Sequence, residues 1–491
     1  FKVLSFILIN CRRNDSVCQL CNPRLSPEEE SMLEGFTVPA ILKRSLKNGG
    51  DFADIFCEHV SATSVVFEDG KIEHIIAGVD AGAGVRTIAN GKTAYAYTNR
   101  LTDEGLMEVA EAVSCATRGK DFEKDISLIK KTPESNSDPE QGVQEVSLEE
   151  KVALVKRANQ VARSMDTRIK QVKVVYRDAL RRIATANTNG EVVYDERIAT
   201  LFLVQVIVAQ NDLMQTGYEP RGACMGFELF QDNPPDQIAE TASRRALMML
   251  EARRAPGGKM PVVLSSDAGG TMIHEAIGHG LEADLAQTGM SVYSGRIGEQ
   301  VASHLITVID DPTLPLKRGS YGFDDEGVKA QRTTLVEKGI LKGYLYDCLT
   351  AMKDGTTSTG NGRRESYHSR PLPRMSNTFI APGQMDPEAI LHATKSGLFV
   401  KKMGGGQVNT VNGDFVFEVT EGYLIEDGEV AEPVRGATLT GNGPDILISI
   451  DMVGSDLGFG IGTCGKEGQG VPVADAQPTL RIPEIVVGGE V

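Results

Sequence analysis

The spacing of apolar residues changes several times along the chain, and each change predicts an element. From Ser31 to Asn48, Leu33, Phe36, Ile41, Leu42 and Leu46 recur at helical intervals, and Gly49-Gly50 supplies a stop. Pro39 leaves the start of that helix open. Asp51 to Asn99 reads as strands, with Asp69-Gly70 and Asn90-Gly91 as hairpin turns. Helical spacing returns from Leu101 to Thr117. Residues 119–146 change character: Pro133 to Pro139 is polar, acidic and rich in breakers, so an exposed linker is expected there. Ser147 and Glu150 have the spacing of a capping box, and Leu148, Val152, Val155, Ala162 and Met165 give the helix behind it one apolar face.

Ile169 to Gln210 is a second strand region, turned at Asn189-Gly190 and ending in a long β-branched run. Asp236 to Arg254 reads as a helix between Pro234-Pro235 and Pro256-Gly257-Gly258. From Met260 onward, short apolar runs alternate with turn signals: Glu337-Lys338-Gly339, Asn412-Gly413-Asp414 and Glu426-Asp427-Gly428. This spacing suits a β-sandwich or barrel, interrupted by a short helix near His274. The expected class is α+β. Residues 26–255 would form an N-terminal α/β domain of antiparallel strands and helices. Residues 256–491 would form a mostly β domain, sandwich or barrel-like, carrying the short helix. A chain of 491 residues is long enough for more than one core.

Residues 1–25 fit neither part. The apolar run from Phe1 to Asn10 is followed by Arg12 and Arg13, the reverse of a signal peptide, and no small-residue cleavage site appears. They are expected to be an atypical extension. Cys18 and Cys21 form a lone Cys-x-x-Cys with only Cys11 nearby, short of the second pair that a structural zinc site needs.

Composition narrows the function. The formal charge is −16, from 51 basic and 67 acidic residues, which argues against nucleic acid as the main partner. No apolar run approaches the ~20 residues that span a bilayer. Eight cysteines without a framework spacing suit a reduced, cytoplasmic chain.

The chemistry concentrates in His274-Glu275-Ala276-Ile277-Gly278-His279. Two imidazoles and a carboxylate in this order suggest a metal-activated water with Glu275 as general base. The familiar zinc pattern places its histidines four apart on one helix face. Here they are five apart, which on a regular helix separates them by about 140°. A π-like turn reduces that mismatch, and Gly278 is permissive for a distortion or for helix termination. A catalytic zinc needs a third protein ligand. Glu282, Asp284, His304, His368 and Cys464 are the candidates, Cys464 lying in a glycine-dense loop where backbone can approach closely.

His274-Glu275-x-x-x-His279, with Gly462-Thr463-Cys464-Gly465-Lys466-x-Gly468-Gln469, resembles the TldD/PmbA family of zinc peptidases, in its catalytic TldD-like branch. Asp324 to Val328 with Gln331-Arg332-Thr333, Thr359 to Arg364, Arg374 to Gly383, Gly404 to Val408 and Asn412 to Phe417 match the same pattern, as do Gly84-Val85-Arg86 and Ala94 to Asn99. The resemblance spans about residues 26–488. It implies Zn²⁺ held by His274, His279 and Cys464, with Glu275 as the base. It also implies hydrolysis of extended or unfolded peptides, in leader removal or in degradation of small unfolded proteins. The partner would be a second like subunit or a related one lacking the metal motif. The alternative is a non-catalytic peptide-binding subunit or scaffold of such a complex; a zinc hydrolase of non-peptide amides or esters is a further one.

Three other features carry expectations. Gly82-Ala83-Gly84 lacks the third glycine of a dinucleotide fingerprint and reads as a bend between strands. Gly404-Gly405-Gly406 reads as an accessible strand edge for a peptide backbone. Arg363 and Arg364 read as exposed, with carboxylate binding as the other option.

Overall fold

Long antiparallel strands, several covered on both faces, build the N-terminal half. The computed structural model describes residues 32–120, 122, 125–131 and 142–489. The expected extension at 1–25, with Cys11, Cys18 and Cys21, and the linker segment 132–141 lie outside them. Helix α1 (Val38–Ser45) comes first. It is shorter than expected because Pro39 sits in its first turn, where a missing N–H is tolerated, and Leu33 and Phe36 lie in a turn ahead of it. Then follow β1 (Phe52–Glu68), β2 (Lys71–Ala89), β3 (Lys92–Thr98), α2 (Asp103–Cys115), β4 (Ile129–Lys131), α3 (Leu148–Ser164), β5 (Ile169–Asn187), β6 (Glu191–Gln210), β7 (Leu213–Ala223) and α4 (Pro235–Glu251). Asp69-Gly70 and Asn90-Gly91 make the turns expected of them, with positive φ at all four residues. Ser147 and Glu150 form the capping box of α3.

The sheet runs β3-β2-β1-β5-β6, with β4 and β7 both on β6. Its two faces differ in chemistry. Ala53, Ile55 and Cys57 of β1 pack under α1 and α2, while Val65 and Phe67 on the same side pack under α3 and α4. The intervening residues Asp54, Phe56 and Glu58 face the C-terminal half. There Arg86 bridges Asp54 and Glu326, Arg181 meets Glu58 at 2.5 Å, and Arg197 meets Asp325 at 2.8 Å. Gly82 and Gly84 do not make a bend. Both lie inside the continuous β2, where a Cβ would overlap the rings of Tyr367 and Tyr95. Arg363 and Arg364 are not exposed but buried. Arg363 donates to the carbonyls of Met375 (2.6 Å) and Pro472 (2.8 Å), and Arg364 packs over Phe56 and donates to the Asp325 carbonyl.

The C-terminal half contains β8 (Gly258–Leu264), β9 (Val308–Asp310), β10 (Thr333–Glu337), β11 (Ile340–Leu341), β12 (Asn377–Ile380), β13 (Ser396–Val408), β14 (Asp414–Glu426), β15 (Thr438–Asn442), β16 (Gly458–Lys466), β17 (Gln469–Gln477) and β18 (Leu480–Gly488). Strands β13-β8-β18-β15-β14 close on themselves through β13–β14 pairing, so the barrel, not the sandwich, is what forms. A second sheet runs β11-β10-β9-β12-β17-β16. The fold is α+β. No described helix is long and apolar enough to cross a membrane.

The buried ion pairs joining the halves predict a large cost for removing one cation. Arg86→Met leaves Asp54 and Glu326 buried without it and is expected to lower stability by about 3–5 kcal/mol. Urea unfolding of both proteins measures this; a loss under about 1 kcal/mol would contradict it.

Candidate metal centre

One irregular helix and one hairpin build the site. Residues 271–281 form a single helical segment that begins regularly, widens at His274–Gly278 and tightens at His279–Leu281. In the wide turn the His279 N–H donates to the His274 carbonyl, an i to i+5 bond. The distortion expected from the histidine spacing is present. Its cause differs from the expected one. Gly278 has φ −55° and ψ −56°, ordinary right-handed values. Glycine is needed there for space, because a Cβ would overlap Met375 Sδ. The Tyr293 hydroxyl donates to the Ala276 carbonyl at 3.1 Å, satisfying a carbonyl within the widened turn.

The result is that the His274 and His279 rings stand perpendicular, centroids 4.9 Å apart. Strands β16 and β17 form a hairpin turned at Glu467-Gly468, and Cys464 on β16 points at both rings. Donor atoms of His274, His279 and Cys464 lie within 4.8 Å of one another, and Cys464 Sγ is 3.6 Å from His279 Nε2. For zinc, with Zn–N near 2.05 Å and Zn–S near 2.3 Å, tetrahedral geometry places N and S about 3.6 Å apart. The Cys464–His279 separation matches that value, and two imidazoles with a thiolate are a donor set that suits zinc.

Each imidazole is oriented by a carboxylate. His274 Nδ1 meets Asp475 Oδ1 at 2.8 Å, and His279 Nδ1 meets Glu282 Oε2 at 3.0 Å, which turns the other ring nitrogens toward Cys464. Lys466 Nζ in turn holds Glu282 (3.0 Å) and Asp284 (2.7 Å). Burial pushes the Cys464 thiol up, but hydrogen bonds and charge from His274 and His279 outweigh it and bring it down to about 6. Burial disfavours protonated His279, yet Glu282 and Cys464 raise it to about 10; His274 is raised likewise by Asp475 and Cys464. Glu282 is driven to about 2, because Lys466 and His279 overcome its burial. The Cys464 thiolate is thus stabilised by the same two rings with which it would share a cation.

Of the candidate third ligands, only Cys464 joins the histidines. Glu282 and Asp284 are held by the hydrogen bonds just described, His304 is exposed, and His368 lies against Tyr97 and Tyr367. Glu275 lines a cleft of about 380 Å³ with His274 and Cys464, and its carboxylate has no hydrogen bond or ion pair among the described residues. Gly404, Gly405 and Gly406 line the same cleft. Strand β13 pairs with β8 only at Leu398–Val400, so one edge of its glycine stretch is unpaired. The contributions of Asp475 and Tyr293 had no sequence signal, and those of Lys466 and Met375 lay in stretches noted only for their resemblance to the family. Lys466 was the most accessible of them, being two residues from Cys464 on the same strand face.

Family models for the PmbA/TldA metallopeptidase match three stretches: domain 1 at residues 53–116, the central domain at 142–250 and the C-terminal domain at 257–489. A protein named Metalloprotease TldD homolog from Haemophilus influenzae is 38% identical over 452 residues, covering 89% of this chain and 93% of its own. The chain belongs to the TldD/PmbA metallopeptidase family. A Methanocaldococcus jannaschii metalloprotease is 36% identical, covering 88% of this chain and 96% of its own. A Saccharolobus solfataricus protein named Zinc metalloprotease TldD homolog is 28% identical, covering 92% and 99%. Among solved structures, TldE from Thermococcus kodakarensis shares the fold at TM-score 0.74 and 20% identity, covering 92% of this chain and 99% of its own. A Thermotoga maritima protein described as a putative modulator of a DNA gyrase does so at TM-score 0.74 and 24% identity, covering 89% and 96%.

The packing over the wide turn is testable. Gly278→Ala is expected to destabilise the protein by about 1–3 kcal/mol, and the double variant with Met375→Ala should lose less than the sum of the two single losses. Denaturant midpoints of the single and double variants decide it; simple additivity would remove the steric explanation.

Proposed function

We propose that this chain is a zinc-dependent peptidase acting on extended or unfolded peptides, with His274, His279 and Cys464 as metal ligands and Glu275 as general base. The observation that carries this reading is the convergence of the three donor atoms within 4.8 Å beside an unpartnered glutamate in a cleft. Zn²⁺ bound there supplies a Lewis acid that polarises the scissile carbonyl and acidifies water. Glu275 takes the proton from the attacking water and returns it to the leaving amine. Asp475 and Glu282 keep the imidazoles in the ligating tautomer. The unpaired edge at Gly404–Gly406 binds substrate through main-chain hydrogen bonds, which tolerates many sequences.

On this reading residues 256–491 are the metallopeptidase domain. Residues 26–255 complete the cleft, since Tyr218, Glu219, Pro220 and Arg245 line it. The working form is a dimer in the cytoplasm, of two like subunits or with a related subunit lacking the metal motif. The shared fold with TldE supports the second arrangement. Leader removal from peptide precursors and degradation of small unfolded proteins are the roles that this cleft suits.

Glu275→Gln should retain zinc and lose at least ~100-fold in peptide cleavage. Cys464→Ser should lose most of its zinc, whereas Cys115→Ser, at an exposed thiol, should keep it. Metal analysis and peptide-digest mapping read both outcomes. Metal-free protein whose behaviour is unchanged by Glu275→Gln would instead favour the peptide-binding scaffold.

A further inference from the structure

The cleft carries a cation that hydrolysis does not use. Lys402 lines it, on the part of β13 where the register with β14 shifts repeatedly. Its ammonium has no hydrogen bond or ion pair among the described residues. Two of the carboxylates near it are engaged by other cations, while Glu275, on the same cleft, stands beside the metal donors. Glu219 is held by Arg221 and by Arg245 at 2.7 Å. Glu421 accepts from Arg245 at 2.7 Å and from Tyr423 at 3.0 Å, with Lys401 at 3.5 Å. Arg221, Arg245 and Lys401 therefore take up Glu219 and Glu421 and leave neither to Lys402; Asp267 adds a charge only from an exposed position. Burial pushes the Lys402 ammonium below its ordinary value; Glu219 opposes this, and Arg245 and Arg221 add to it. An anion arriving at Lys402 would relieve both the repulsion and the lost hydration.

We propose that Lys402 forms an anion subsite of the cleft, taking a carboxylate of the peptide substrate, either its C-terminal carboxylate or an Asp or Glu side chain. This rests on the peptidase reading and specifies its substrate. Lys402 precedes Gly404 by two residues, about 7 Å along a strand. A peptide laid on the glycine edge by main-chain hydrogen bonds brings its end, or a nearby side chain, within reach of a lysine. Backbone pairing fixes the register only weakly, whereas one charge contact fixes where the chain stops and so which bond meets Glu275.

The test uses the full-length, zinc-loaded protein carrying Glu275→Gln, so that peptides are bound but not cut. Three fluorescein-labelled, unstructured peptides of alanine, serine and leucine serve as probes: one with a free C-terminus, one amidated, and one amidated with a single internal glutamate. Anisotropy titrations should show at least one acidic probe binding tenfold or more tighter than the neutral amide. Lys402→Gln should abolish that difference, and Lys402→Arg should restore most of it. The free-acid probe showing the effect assigns the subsite to the chain end; the glutamate probe assigns it to a side chain. Equal binding of all three, no binding of any, or an acid preference that survives Lys402→Gln overturns the proposal. Cleavage of the same probes by protein with Glu275 intact is scored separately: no cleavage, with the acid preference present, overturns the peptidase reading and leaves the subsite standing.

Discussion

Two imidazoles five residues apart cannot address one point from a regular helix, and the site follows from how that is resolved. The turn at His274–Gly278 widens to an i to i+5 bond, which costs a regular hydrogen-bonding pattern within the core. The surroundings hold it. Tyr293 satisfies the Ala276 carbonyl, and Met375 occupies the space that a side chain at Gly278 would fill. The geometry is imposed by packing from both sides rather than by a flexible glycine.

The β16–β17 hairpin does the rest. It delivers Cys464, the carboxylate of Asp475 that orients His274, and the ammonium of Lys466 that anchors Glu282 and through it His279. Three separate tasks are thereby tied to one hairpin, and the donor atoms are gathered within 4.8 Å of one another before any ion arrives. Preorganisation of this kind spares the site the cost of gathering its ligands at the moment of binding.

Much of this was legible in the sequence where the determinants are local. His274, Glu275 and His279 fall within six residues, and their awkward spacing itself foretold the irregular helix. Hairpins with glycine turns and the Ser147–Glu150 cap were equally readable. Strand β7 was not, because its turn uses Asn211 with φ 54° in place of a glycine. Asp475 was not either, since it meets His274 across 201 residues of sequence. Arg363 and Arg364 were misread for the same reason. Adjacent arginines are ordinarily solvated, and only the tertiary fold supplies the buried carbonyls and the Asp325 loop that take them in. Gly82 and Gly84 look like chain breakers until the rings of Tyr367 and Tyr95 are seen lying over them.

The charged inner face of the N-terminal sheet has a consequence for how the chain reaches this state. During synthesis the N-terminal strands leave the ribosome well before Asp325 and Glu326 exist. A sheet that waited with a bare apolar face would stick to its neighbours. This one waits with Asp54, Glu58, Asp195, Arg86, Arg181 and Arg197 facing water, hydrated and paired with one another. The same residues that are costly to bury keep the nascent half soluble until the acidic loop arrives to close over them.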